Sequence, residues 1–489
     1  MSSSEERLSR EKEESLFFGK RDVSRREFLR VAGMAGATLG LGAGLGGLIA
    51  ACGSAEEITT TTSTTAPAQS STTAASATST TVTSAAETGR EIKIGFVTPQ
   101  TGSHALFGLP DKYCADRWNE ALEGGLVCGD GKKHPVSILV RDSQSDTNRA
   151  AQVAGDLITN DKVDVIMAAS TNETVSPVAV QAEALGCPMF SNDAPWQAYY
   201  FGRGATPDKP FKWTWHHFWG LDDLIATYVD MWNSLQTNKK VALLSPNDTD
   251  GNAVADAKLG LPPGLIAGGY TVVDSGRYPD GTEDFTSQIS QFKNAGCEII
   301  TGAPVPPDWT SFWQQSVQQG FKPVAATVAR ALLFPGALEA LGSIGYGMST
   351  EVWWTPMYPF VSSFTGETCQ QLADDFEKRT GQQWTQPLLH YGVFEVVADA
   401  LKRTKNVDDK EAVVTAISTT KMETLGGPID FTAPVDMNSL HPVKNVYRTP
   451  LVGGQWIKGA TRPFDLAIVN NSMAPQISTT ATLAPIQYT

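Results

Sequence analysis

E-I-K-I-G-F-V-T-P-Q-T-G, residues 91–102, is the stretch from which the fold can be read. Ile92, Ile94, Phe96 and Val97 make a short apolar run of strand length, and Pro99 onward carries turn residues. Phe107, Tyr113, Ala115, Trp118 and Leu122 follow at near-helical spacing, and Gly124-Gly125 stops that helix. The alternation continues with strands over 136–140, 163–168 and 188–191, and helices over 147–160 and 170–185. Strand and helix in turn, in units of this length, imply a parallel sheet covered on both faces. A second such run begins after Phe211, with strands over 240–245, 270–274, 297–301, 323–328 and 347–354. Three helices (367–379, 388–403 and 408–419) and short strands near 428–431, 443–451 and 455–457 close the chain. The expected class is α/β: two doubly wound parallel-sheet lobes. Residues 90–213 and 356–425 form the first lobe, 214–355 and 426–475 the second, and 476–489 a tail. Ligands bind such sheets at the carboxyl ends of the strands, so two facing lobes share one cleft.

Upstream of the body, S-R-R-E-F-L-R (24–30) precedes a glycine-rich, weakly apolar stretch ending in I-A-A-C-G (49–53). That layout is similar to a twin-arginine export signal ending in the lipobox of bacterial lipoproteins. It makes 1–51 a signal peptide and Cys52 the lipid-attachment residue; a permanent membrane helix is the alternative. Residues 52–89, mostly Ser, Thr and Ala, have too little apolar side chain to fold and read as a tether. The body then sits on the outer face of the cytoplasmic membrane, lipid-anchored. A formal charge of −14 without a basic stripe excludes nucleic acid as a partner. Cys114 and Cys128 are close enough in sequence for a disulfide contributing roughly 3 kcal/mol in the chain-entropy model, with two buried thiols as the alternative. Cys187, Cys297 and Cys369 have no metal-ligand spacing.

The opening I-K-I-G-F-V-T-P-Q-T-G with Phe107-Gly108, V-R-D-S-Q-S-D (140–146), G-T-E-D-F (281–285) with Ile289 and Phe292, and Gly320-Phe321 together resemble branched-chain amino-acid-type solute-binding proteins, the leucine/isoleucine/valine-binding group. The resemblance covers 91–457 and rests on the order of many weak motifs. It implies a type I periplasmic-binding fold with a three-segment hinge. It also implies a monomer without cofactor or catalysis, which hands a small molecule to an ABC permease. A ligand sensor reporting to a membrane receptor has the same sequence pattern. An exported enzyme is the weaker rival, because G-x-S-x-G, H-E-x-x-H, C-x-x-C, the P-loop and G-x-G-x-x-G after the first strand are all missing.

Candidate ligand residues follow from the strand ends. S-T-N-E-T (170–174) opens a helix; Ser170 and Glu173 fit a capping box, and the same helix terminus suits a ligand carboxylate, with Thr171 and Asn172 matching the family's loop. Asp193 and Trp196 follow the fourth strand, Asp193 either receiving a ligand donor or capping the next turn. Where the resemblance implies a carboxylate for the ligand ammonium, this chain has Arg330, whose donor fork suits an anion. That substitution favours an organic acid lacking an α-ammonium over an amino acid. Among the aromatics, Phe107 and Trp354 are assigned to the pocket. His216-His217 would face opposite sides of a strand, so no metal site is expected.

Overall fold

The computed structural model describes residues 86–488. The signal peptide, Cys52 and the tether up to residue 85 lie outside the described residues.

The strand Ile92–Thr98 is buried along nearly its whole length, as befits a strand inside a parallel sheet covered on both faces. It pairs in parallel with Val136–Asp142 on one side and Val165–Ala168 on the other. The sheet continues through Met189–Ser191 and Thr214–His217 to Val446–Tyr447, all parallel. One face is covered by Thr147–Thr159 and Thr171–Leu185, which share a core with Val97, Ile166 and Ala168. The other face receives Asp111–Leu122 and Tyr391–Arg403, where Phe96 meets Phe394 edge-on at 5.2 Å and Trp118 stacks on Phe394 at 6.1 Å.

The second lobe holds a four-stranded parallel sheet, Ala325–Ala326, Ile299–Gly302, Lys240–Pro246 and Thr271–Tyr278 in that order. A bridge from Thr327 to Ser349 joins it to an antiparallel sheet of Ser349–Val352, Val452–Lys458 and Phe464–Asn470. Gly302 ends its strand at φ 144°, with the position of a Cβ only 1.7 Å from the Leu244 carbonyl oxygen. Only glycine lets the chain turn there towards Ala303.

The chain passes between lobes three times: between His217 and Leu221, between Val352 and Cys369, and between Tyr447 and Val452. The expected hinge of three segments is therefore present, but two boundaries move. Thr214–His217 and Val446–Tyr447 belong to the first lobe's sheet, so the second lobe starts after 217 and is re-entered after 447 rather than at 426. A two-residue edge strand has no periodicity to read. The described part of the expected tail, residues 476–488, is packed against the body. Ile477, Leu483 and Ile486 are buried, and the Ile486 amide donates to Val324 O at 2.9 Å.

The expected disulfide is corrected. Cys114 and Cys128 are both free and buried. Cys114 lies in the core beneath its helix, and burial pushes its thiol far up. Burial likewise pushes Cys128 up to about 11, and its Sγ donates to Leu126 O at 3.8 Å.

The motif at 140–146 proves to be a clamp on the loop after the first strand. Asp142 Oδ1 accepts the Gln100 and Gln144 amides at 2.9 and 2.8 Å, and Oδ2 accepts Thr101 Oγ1 at 2.7 Å. Ser145 Oγ accepts the His104 amide at 3.0 Å. Asp146 caps the next helix by accepting the Arg149 amide at 2.7 Å. Asp146→Ala is expected to lower stability by about 1 kcal/mol, the usual loss for an N-cap, read as a shifted urea midpoint at unchanged slope.

Candidate functional site

Loops from the carboxyl ends of the strands in both lobes enclose a cavity of about 40 Å³. The first lobe contributes Phe107, Thr171, Asp193, Pro195 and Ala198, and the hinge Phe218, Trp219 and Trp353. The second lobe contributes Leu221, Leu224, Asp250, Ala253, Val254, Ala303, Ala329, Arg330, Leu333 and Glu351. The wall is apolar and aromatic, with a few convergent polar groups, as small-molecule pockets are.

Backbone strain concentrates here. Ser170, Thr171, Asp193 and Arg330 have φ of 78°, 61°, 59° and 62°, half of the eight described non-glycine residues with positive φ. Each costs roughly 1 kcal/mol or more, and β-branched Thr171 is the least tolerant of it. Strain of this kind survives where packing over-determines a loop, commonly at a binding site.

The lobes meet through a polar clasp beside the cavity. Arg330 Nη1 donates to Asp248 Oδ2 at 2.9 Å and Ala303 O at 3.1 Å, while Nη2 reaches His104 Nε2 at 2.5 Å across the cleft. Burial, with Arg330 beside it, lowers His104 to about 4, so its ring is neutral and accepts this bond. The Asp250 amide donates to Glu173 Oε1 at 3.0 Å, and the Asn172 amide reaches Asp250 Oδ2 at 3.4 Å. Burial pushes Asp250 well up, aided by the charge of Glu173. Against its own burial, Glu173 is held at about 2 chiefly by the charge of Arg330. Phe107 and Phe334 close the rim edge-to-face at 4.8 Å.

Ser170 makes no side-chain cap, and Glu173 turns to the opposite lobe instead. The capping-box alternative is therefore corrected: crossing the cleft takes the side chain that the cap needed.

Two carboxyls are held from behind. Glu351 accepts Tyr228 Oη and Thr350 Oγ1, and burial pushes it up to about 7. Asp193 Oδ2 meets His390 Nε2 at 3.1 Å, and His390 Nδ1 meets Asp111 Oδ1 at 2.6 Å. Burial pushes Asp193 up to about 6, against the pull of His390.

Of the residues singled out in the sequence, Phe107, Thr171, Asp193 and Arg330 line the cavity together. The other three lie behind it. The Asn172 side chain bonds Ser176, Trp196 lies beneath the Arg448 guanidinium at 5.4 Å, and Trp354 packs edge-on against Trp384 at 6.1 Å. Sequence reasoning missed Asp250, Glu351, His390 and Asp111. Asp250 had a usable signal, an acid in the loop after a parallel strand; the rest are joined only by the tertiary fold. Thr171 Oγ1 and Trp219 Nε1 are buried at the cavity without a hydrogen-bond partner. His216 is spent internally, bonding Ser191 Oγ at 2.9 Å and Ala194 O at 2.8 Å.

A family model described as "Periplasmic binding protein" matches residues 91–448. A curated relative from Brucella melitensis biotype 1, "Leu/Ile/Val-binding protein homolog 7", is 23% identical over 410 residues, 80% of this chain and 96% of the relative. The branched-chain amino acid transporter substrate binding protein LivJ from Streptococcus pneumoniae, solved with isoleucine, superposes with a TM-score of 0.59 at 17% identity, covering 77% of this chain and 99% of its own. An ABC-transporter solute binding protein from Rhodopseudomonas palustris BisB5, solved with 3,4-dihydroxy benzoic acid, gives 0.62 at 18%, covering 79% and 99%.

Proposed function

Because the chain belongs to the periplasmic binding protein family, we propose that it is the extracytoplasmic substrate-binding component of an ABC importer, capturing a small amino acid or other carboxylate-bearing solute between its lobes for a membrane permease. In this reading the twin-arginine signal exports it, Cys52 anchors it as a monomer to the outer face of the membrane, and no covalent chemistry occurs. Phe107, Thr171, Asp193 and Arg330, joined by Trp219, form the binding surface; Asn172, Trp196 and Trp354 support it from behind.

The observation that carries this reading is that, among the residues lining one interlobe cavity, the neutral donors Thr171 Oγ1 and Trp219 Nε1 are buried without a hydrogen-bond partner, as is Arg330 Nε. Such groups are expensive to leave unmade, and a solute with acceptor oxygens satisfies both. The cavity as closed has room for little more than water, so capture requires the lobes to part and re-close. A ligand favours the closed form only through contacts absent from the open one, and these two donors supply them.

The test is a thermal-shift and tryptophan-fluorescence screen of the full chain with branched-chain amino acids, aromatic acids, amides and urea. A saturable response to an amino acid or organic acid is expected. Thr171→Val should weaken it roughly tenfold, the worth of one hydrogen bond of about 1.4 kcal/mol. A response confined to amides or urea, or no response at all, would count against the reading.

A further inference from the structure

A second cavity lies outside the cleft, on the flank of the hinge. Its volume is about 360 Å³, within the range that small-molecule sites occupy, and it shares no lining residue with the cleft cavity. Three parts of the chain enclose it. The second crossing between lobes contributes Met357. The first lobe contributes Asp374 and Glu377, from the helix Cys369–Thr380, and Trp384 just beyond it. The second lobe contributes Ile457, Arg462 and Asp465, from the hairpin of Val452–Lys458 and Phe464–Asn470.

The charges on this wall do not balance. Arg462 crosses from the second lobe to bond Glu377 Oε2, and Glu377 Oε1 accepts the Trp384 amide at 3.0 Å, so that pair is closed on itself. Asp374 and Asp465 are left over. Asp374 Oδ1 accepts Gln370 Nε2 at 2.7 Å, and Asp465 Oδ2 accepts the Ala460 amide at 3.2 Å. The second oxygen of each carries no hydrogen bond to a described residue, and neither carboxylate forms an ion pair with one. Lys378, one turn along from Asp374, is not paired with it. Each lobe thus presents one unneutralised carboxylate to the same cavity, a field that draws in positive charge and repels acids.

The rest of the wall decides what kind of cation fits. No group of three or more His, Cys, Asp or Glu among the described residues is arranged to hold a metal ion. The remaining surface is instead apolar. Met357 and Ile457 keep 41% and 40% of their area exposed, and the Trp384 ring is fixed edge-on against Trp354 at 6.1 Å. Open carboxylates beside a fixed indole and accessible apolar side chains match a positive nitrogen carried on an apolar body.

We propose that this cavity is a second ligand site, which takes an organic cation (an amine, amidine or guanidinium on an apolar body) between Asp374 of the first lobe and Asp465 of the second. No cleft residue takes part, so the proposal stands or falls apart from the solute-binding reading above.

The experiment is calorimetric titration of the full chain with matched cationic and neutral probes: benzamidine against benzamide, and isoamylamine against isoamyl alcohol. The cation of a responding pair should bind at least about tenfold more tightly than its neutral partner. Asp374→Asn and Asp465→Asn, which keep an acceptor oxygen, should each weaken the cation roughly fivefold, and the double variant should lose the preference. Added salt should weaken the cation and leave the neutral partner unchanged. Urea midpoints close to that of the wild type establish that the variants are folded. No saturable binding of either cation up to about 10 mM, equal binding of the neutral partners, or a preference that survives in the folded double variant overturns the proposal and leaves the solute-binding reading standing.

Discussion

Arg448→Ala is expected to destabilise the protein by roughly 3–5 kcal/mol, the usual consequence of removing one partner from a buried ion cluster. Arg448 is 1% exposed. Its Nη1 donates to Asp222 Oδ2 at 2.8 Å and to Asp223 Oδ1 at 3.1 Å, and Nη2 donates to Met437 O at 3.1 Å. Asp222 and Asp223 open the helix Leu221–Asn233, just after the first crossing between lobes; Arg448 begins the third. The cluster thus fastens two of the three hinge segments to each other. Gln197 joins it, donating to Asp222 Oδ1 at 2.6 Å and accepting the Leu221 amide at 2.8 Å. Without the guanidinium, two buried carboxylates face each other across the space it filled. Arg448→Lys keeps the charge but loses the fork, so an intermediate loss is expected. Urea unfolding followed by circular dichroism measures both variants. A loss for Arg448→Ala well below about 3 kcal/mol would mean that water reaches the hinge and solvates the acids.

The hinge cluster also illustrates what the sequence could and could not reveal. The strand Ile92–Thr98 was legible because a strand buried on both faces is a plain apolar run, and its helix followed at the right spacing. Thr171, Asp193 and Arg330 were legible for a related reason. Each follows a parallel strand, and loops at that end of a doubly wound sheet must face the cleft. Asn172 and Trp354 lie one position from the cavity-lining Thr171 and Trp353, since neighbouring residues point different ways and a loop has no period to decide between them. Asp111 and His390 are 279 residues apart and meet only because two helices from distant parts of the chain cover the same face of the sheet. Arg448 and Asp222 are 226 apart. Nothing local marks such a pair. The cysteines make the same point: sequence proximity suggested a bridge, but burial beneath a helix set the state of Cys114.

Stability is expected to fall by about 3 kcal/mol as the pH rises from 6.5 to beyond 9, and His390→Asn should remove most of that fall. Burial alone would pull the His390 ring down, but the charges of Asp111 and Asp193 outweigh it and push the ring up to about 9 from 6.5. The folded protein therefore keeps a proton that the unfolded chain gives up. Linkage makes that proton stabilising: its contribution is fully present below pH 6.5 and is lost as the pH climbs through about 9. A shift of this size corresponds to about 3 kcal/mol at 1.36 kcal/mol per unit. Asp193 acts in the same direction over a lower window. Raised from 3.8 to about 6 by burial, it makes the fold less stable as the pH rises between those values. Glu351 and Glu395, both pushed up to about 7 by burial, extend that loss towards neutrality. Glu173 works the other way. Held at about 2, it stabilises above 4.5 and ceases to do so as the pH falls through 2. Urea midpoints followed in both proteins from pH 6 to pH 9.5 separate these contributions, since Asp193, Glu351 and Glu395 are ionised by about pH 8 and above that only His390 among them changes its charge. The wild type should lose most of its margin in that interval and His390→Asn comparatively little, having started lower. Parallel curves for the two proteins would mean that the imidazole is neutral between its two carboxyls, and that Asp193 faces the cavity without a cation behind it.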